Sequence, residues 1–280
     1  MRPVAARGRR VWGLAGLAVA ASLAIPGGWL ITSVGVNSQS QPAQDTVTRT
    51  VTVAQPVTTL NVDSGGTPVQ ITAGPVDHVR VTETISYDPQ AEDFPAVPDS
   101  VSDGILTLAE PACDCSVGFT VTIPPALGVA ADTEGGPLTV SGAAGADLDS
   151  GGGPVRATGI TRHLIVAAEG GSVVINGLAG PLVADTGGGP LLAHGIDAAT
   201  ATVITGGGGA WIRFTAPPDG VFVSTDDGPA ALTVPGGPYA LNANTYGGSE
   251  AIGIATDPAA SRSITVTTGG GPLQVKPSSQ

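Results

Sequence analysis

The chain has 280 residues, 42 of them Gly and 24 Pro, with 12% charged and 4% aromatic side chains. That balance is too apolar for disorder and too rich in glycine for a helical protein, and it suits many short strands joined by tight turns. The net charge is −12, and from Asp45 onward 23 acidic residues face 7 basic ones, so the body lacks the clustered Lys and Arg that a nucleic-acid partner requires.

In chain order, residues 1–10 form a basic N-terminus that holds Arg2, Arg7, Arg9 and Arg10. Residues Val11 to Val36 contain no charged side chain, and as a helix they would be about 39 Å long, enough to cross a bilayer. The arginines precede this segment, so the expectation is a signal-anchor in the lipid bilayer with a cytoplasmic N-terminus and an extracytoplasmic body. A cleaved leader is the competing reading, because Ser22-Leu23-Ala24 has the small-x-small form of a cleavage site. Residues 37–46 begin as a polar, uncharged spacer.

Residues 47–128 form a strand-rich entry segment. Val47 to Val53 and Val79 to Ile85 alternate apolar and polar residues with Val, Ile and Thr prominent, as do Ile105 to Leu108 and Val117 to Ile123, and period-two alternation of this kind predicts strands. The phrase LNVDSGGTPVQIT at 60–72 already has the form of the repeats that begin at residue 129. The acidic, proline-rich stretch 88–104 interrupts the pattern as an excursion loop.

From 129 to 277 one phrase recurs eight times, most clearly as LVADTGGGPLLAHG at 182–195. Pro137, Pro154, Ser172, Pro190, Gly209, Pro229, Ser249 and Pro272 mark the same position at intervals of 17 to 23 residues. So tight a period predicts stacked repeats. Side-chain parity defines four inward columns, which begin at Val129, Ala131, Leu138 and Val140. Of their 32 members only Glu250 is not apolar. A single strand pair cannot bury such a face, whereas stacking on identical neighbours can. The predicted architecture is therefore all-β, a parallel β-solenoid (β-helix) of about nine coils, with glycines at the corners. A sandwich of hairpins, with each glycine turn joining antiparallel strands, is the alternative.

These features resemble a bacterial membrane-anchored β-strand-repeat family labelled putative adhesin or domain of unknown function. The matching residues are Asp103-Gly104-Ile105-Leu106-Thr107-Leu108, Phe119-Thr120-Val121-Thr122-Ile123-Pro124, and the serial GGxxxV turns from Gly135 onward, so the resemblance covers about residues 47–277. It implies a right-handed solenoid behind one transmembrane helix and, with the Gly, Ala and Pro content, an actinobacterial-like source. It carries over no catalytic residue and no cofactor.

The chemistry-bearing residues are few. Cys113 and Cys115 lie beyond the predicted membrane segment, where a disulfide is expected. Asp132, Asp149 and Asp185, with Asp63, occupy one outward position before the glycine turns and are candidate ligands for a cation such as Ca²⁺; the plainer reading is solvated surface. Trp211 is placed outward, where it could stack on a sugar or a partner. The three histidines lie in different segments, and no nucleophile, zinc or phosphate-loop motif occurs. The expectation is a non-enzymatic, adhesin-like envelope scaffold or binding protein with an envelope protein or glycan as partner. A carbohydrate-active β-helix enzyme and a regulatory, envelope-stress component are the alternatives.

Overall fold

The computed structural model describes residues 24–25, 29–36, 45–88, 99–111 and 115–278. Among them the structure is all-β, with two large sheets and no helix. In each repeat the strand before the glycine turn enters one sheet, here the pre-turn sheet, and the strand after it enters the other, the post-turn sheet. The two flanking strands do not pair with each other, which removes the hairpin alternative. Each pairs in parallel with its counterpart one repeat away: Val129 with Ala146 and Leu60 in the pre-turn sheet, Leu138 with Val155 and Val69 in the post-turn sheet.

The inward columns meet between the sheets in one continuous apolar core. All but four of the predicted inward residues are buried, and the four (Leu241, Ala243, Glu250 and Ile252) belong to a single repeat. That repeat reveals a departure from chain order. Val223 is flanked by Val203 and Val266, not by Ala243 as serial stacking would place it. The last repeat, with strands Ser263–Thr267 and Leu273–Pro277, inserts beneath the one before it, so that Ala240–Asn244 and Glu250–Ile252 end their sheets. Burial explains the exchange: the repeat carrying Glu250 in an inward column takes the end, where the carboxylate is exposed, and the repeat with Ile264, Val266, Leu273 and Val275 fills the dry layer.

The entry segment mirrors this. Thr59–Asp63 and Val69–Ala73 lie between the first repeat and an outer layer built from Ile105–Leu108 and Cys115–Ile123. Beyond that layer Arg80–Tyr87, Asp45–Val53 and Trp29–Val36 extend the post-turn sheet as antiparallel strands.

The helix expected over Val11 to Val36 is corrected where it can be seen. Ala24–Ile25 and Trp29–Val36 are strands, the latter antiparallel to Asp45–Val53. Apolar composition alone does not separate helix from strand, and Ile31, Thr32, Val34 and Val36 are β-branched residues that favour the pleated form. Among the described residues no helix is long and apolar enough to cross a membrane. Residues 1–23 and 26–28 lie outside the described residues.

Candidate functional site

The glycine turns set the geometry of both outer faces. At Thr186-Gly187-Gly188-Gly189 the Gly189 N–H donates to the Thr186 carbonyl, and both central residues have positive φ, 57° and 127°. Glycine adopts that conformation without a Cβ penalty. The final glycine is needed for another reason: a Cβ on Gly189 would lie 2.0 Å from the Gly171 carbonyl oxygen of the neighbouring repeat.

A buried hydroxyl braces every corner of the repeats from residue 129 except the one at Ala168. Thr133 Oγ1 donates to the Gly136 carbonyl at 2.8 Å and Ser150 Oγ to that of Gly153 at 2.7 Å. Thr186, Thr205, Thr225, Thr245 and Thr268 repeat the bond. Sequence reasoning passed over this column. Its signal was a Ser or Thr two residues after an inward apolar residue in every repeat but the one with Ala168.

The acidic ladder lies one residue earlier. Asp132 pairs in register with both Asp63 and Asp149, while Ala167 separates Asp149 from Asp185. Thus the structure brings the first two candidates together and leaves the third apart. Each caps its own turn: Oδ1 of Asp132, Asp149 and Asp185 accepts the N–H of Glu134, Gly151 and Gly187 at 3.2, 3.1 and 3.0 Å. This is the side-chain-to-backbone bond that makes Asp and Asn common at turns. Asp132, Glu134, Asp149 and Glu169 line a shallow pocket of about 340 Å³, yet among the described residues no three potential ligands come together closely enough to hold a metal ion. Asp147, on the same face, pairs with His163 at 3.3 Å. Farther along, this face exposes Ile165, Val183, Ile204 and Phe222.

The outer face of the post-turn sheet has the opposite character. Its two outward columns, begun by Gln70 and Thr72, contain Arg156, His194, Arg213 and Lys276 and no carboxylate. In this face lies a groove of about 470 Å³ lined by His194, Trp211, Arg213, Ala231, Thr233 and Lys276 among others. Ala230–Val234 forms the floor, with the small side chains Ala231 and Thr233 pointing outward. Ala210–Phe214 supplies one wall, with Trp211 beside Ala231 and Arg213 beside Thr233. Leu273–Pro277 supplies the other, with Gln274 and Lys276 in the same register. The walls stand two strand spacings apart, about 9.6 Å. Trp211 is 39% exposed, and neither Arg213 nor Lys276 makes an ion pair among the described residues.

A further cluster of titratable groups lies around Arg49. Glu83 is fully buried and its carboxyl is pushed up to about 7 by desolvation, against the opposing effect of Arg49. Arg49 Nε lies 3.3 Å from Glu83 Oε2 without hydrogen-bond geometry, so both Glu83 oxygens lack a donor. Asp99, which accepts from Arg49 Nη2 at 2.9 Å, is also raised by burial. No solvent reaches Glu83, so it cannot act on a substrate. Cys115 is disulfide-bonded, and Cys113 lies outside the described residues.

No protein-family model and no curated protein matches the chain. Among solved structures it is similar to a putative adhesin from Parabacteroides merdae, at 12% identity and a TM-score of 0.43 over 84% of this chain and 96% of the other. It is also similar to a putative lipid binding protein from Parabacteroides distasonis, at 11% identity and a TM-score of 0.46 over 81% and 96%. A putative adhesin from Parabacteroides distasonis aligns at 14% identity and a TM-score of 0.44 over 82% and 96%.

Proposed function

We propose that this chain is an adhesin-like, non-catalytic binding protein, displayed outside the cytoplasmic membrane on a right-handed parallel β-solenoid. Parallel pairing of equivalent residues one repeat apart supports the solenoid reading, and such a stack is a stiff support for a binding face. The observation that carries the function is the open groove beside Trp211, which offers an aromatic surface and free cations but no carboxylate in its outward columns. Glycoside hydrolysis generally needs two carboxylates flanking the bond, and nothing in the lining supplies them, so the groove is suited to hold a ligand and not to cleave it.

Export rests on the arginine-rich start, the apolar residues 11–23 and the disulfide-bonded Cys115, a bond favoured in oxidising compartments. With Trp29–Val36 in the sheet, the apolar segment ahead of Ala24 is the part that brings the chain to the membrane. Protease added to intact cells should digest the body, and the purified full chain should retain ligand from a glycan panel without releasing product. A body protected until the cells are permeabilised would overturn the placement, and turnover of any glycan would overturn the binding role.

A further inference from the structure

Trp211 has a feature that separates its repeat from the rest. The position two residues earlier is Pro or Ser in the other repeats from residue 129 and at Pro68, and Gly here, as it is at Gly118 of the outer layer. Gly209 does not adopt positive φ, so its backbone does not require glycine. A Cβ at this position would instead lie 2.4 Å from Cη2 of the Trp211 indole and close on Pro229 Cγ at 3.0 Å. The missing side chain makes the space in which the ring lies, beside the groove floor. An incidental surface tryptophan would not need such an accommodation.

The charges around the ring are equally particular. His194, Arg213, Thr233 and Lys276 are successive neighbours across four strands, which places three side chains able to carry positive charge along a line of about 14 Å. They stand on a body with only 7 Lys and Arg against 23 acidic residues. Five of those seven make no ion pair among the described residues, and two of the five, Arg213 and Lys276, stand on opposite sides of one groove. Lys276 reaches it only because the last repeat inserts next to Ala230–Val234.

We propose that this groove binds an acidic polysaccharide, with a pyranose ring stacked on Trp211 and uronate carboxylates held by Arg213 and Lys276. The proposal rests on the binding role given above and names its ligand. A sugar ring offers an apolar C–H face that an indole can cover. A guanidinium matches a carboxylate with two parallel hydrogen bonds, and an ammonium adds a point charge on the opposite wall. The acidic surroundings repel polyanions that do not make these close contacts.

The test uses the full chain, purified in detergent, and three probes: polygalacturonate, a neutral galactan and poly-L-glutamate. Calorimetry should detect binding to polygalacturonate alone. Trp211→Ala, Arg213→Gln and Lys276→Gln should each weaken it by about tenfold or more, as loss of a stacked ring or a charge-assisted contact does. Gly209→Ala should also weaken it with the thermal midpoint nearly unchanged, because the displaced atom is the free end of the indole. Equal affinity for galactan would remove the role of the cations. Equal affinity for poly-L-glutamate would remove that of the ring. Binding that survives Trp211→Ala and Gly209→Ala, or no binding to any probe, overturns the proposal. In the last case, retention of another glycan from the panel without turnover leaves the broader binding role in place.

Discussion

Arg49 and Glu83 face each other on neighbouring antiparallel strands, each in an inward position between apolar residues. Both break an alternation that is plain in the sequence: Val47, Val51 and Val53 flank one, and Val79, Val81 and Ile85 the other. Parity alone therefore marks each as a charged residue at an inward position, although only the register shows that they meet. Glu83 has a folded-state pKa of about 7 against an ordinary 4.5, so between these values the folded chain binds more protons than the unfolded one. The stabilisation is complete below pH 4.5 and is lost as pH rises through about 7, at up to about 1.4 kcal/mol per pH unit. Asp99, raised in the same direction, adds to the trend. Denaturant titrations of the wild type and Glu83→Gln across this range should diverge, with the variant gaining relative stability at the alkaline end. Parallel curves would show that Glu83 ionises in the fold without penalty.

At the scale of the element, the corner is a composite of glycine conformation, a buried hydroxyl and an Asx cap. The glycine runs were legible as corners and the aspartates as outward positions. What the sequence did not show is that the three glycines of a turn have different tasks, because the last is demanded by a neighbour 18 residues away in the chain. Gly189→Ala would set a Cβ 2.0 Å from the Gly171 oxygen, backbone that cannot swing aside, and should cost several kcal/mol, as overpacking and backbone strain do. Gly128→Ala, at a strand position where a Cβ meets nothing within 4 Å, should be neutral or stabilising by about 0.5 kcal/mol. Chemical denaturation of the two variants decides this. A mild Gly189→Ala would mean that neighbouring turns are not in close contact.

At the scale of the molecule, the interleaved ends alter what truncation does. In serial stacking, removal of the last repeat would shorten the structure by one layer. Here Ala240–Asn244 and Glu250–Ile252 pair only with the strands of that repeat, so deleting residues 262–280 strips two layers and uncovers Val221, Val223, Ala230 and Leu232. Hydrogen exchange on the deletion variant should show protection lost throughout 235–261 and weakened in 220–234. Retained protection over 240–252 would mean that this segment can settle directly on the preceding repeat, with Glu250 taken into the core.

The sequence by itself determined the strand class, the alternation of inward and outward residues, the repeat period and the glycine corners. All of these are local, since a pleat has period two and a turn needs particular φ values wherever it occurs. Tertiary structure alone decided which strands touch. The order of the last two repeats is settled by the burial cost of one carboxylate, Glu250, weighed across the whole stack. The groove follows from that order, because Lys276 joins Trp211 and Arg213 only when strands about 60 residues apart lie on either side of the same floor.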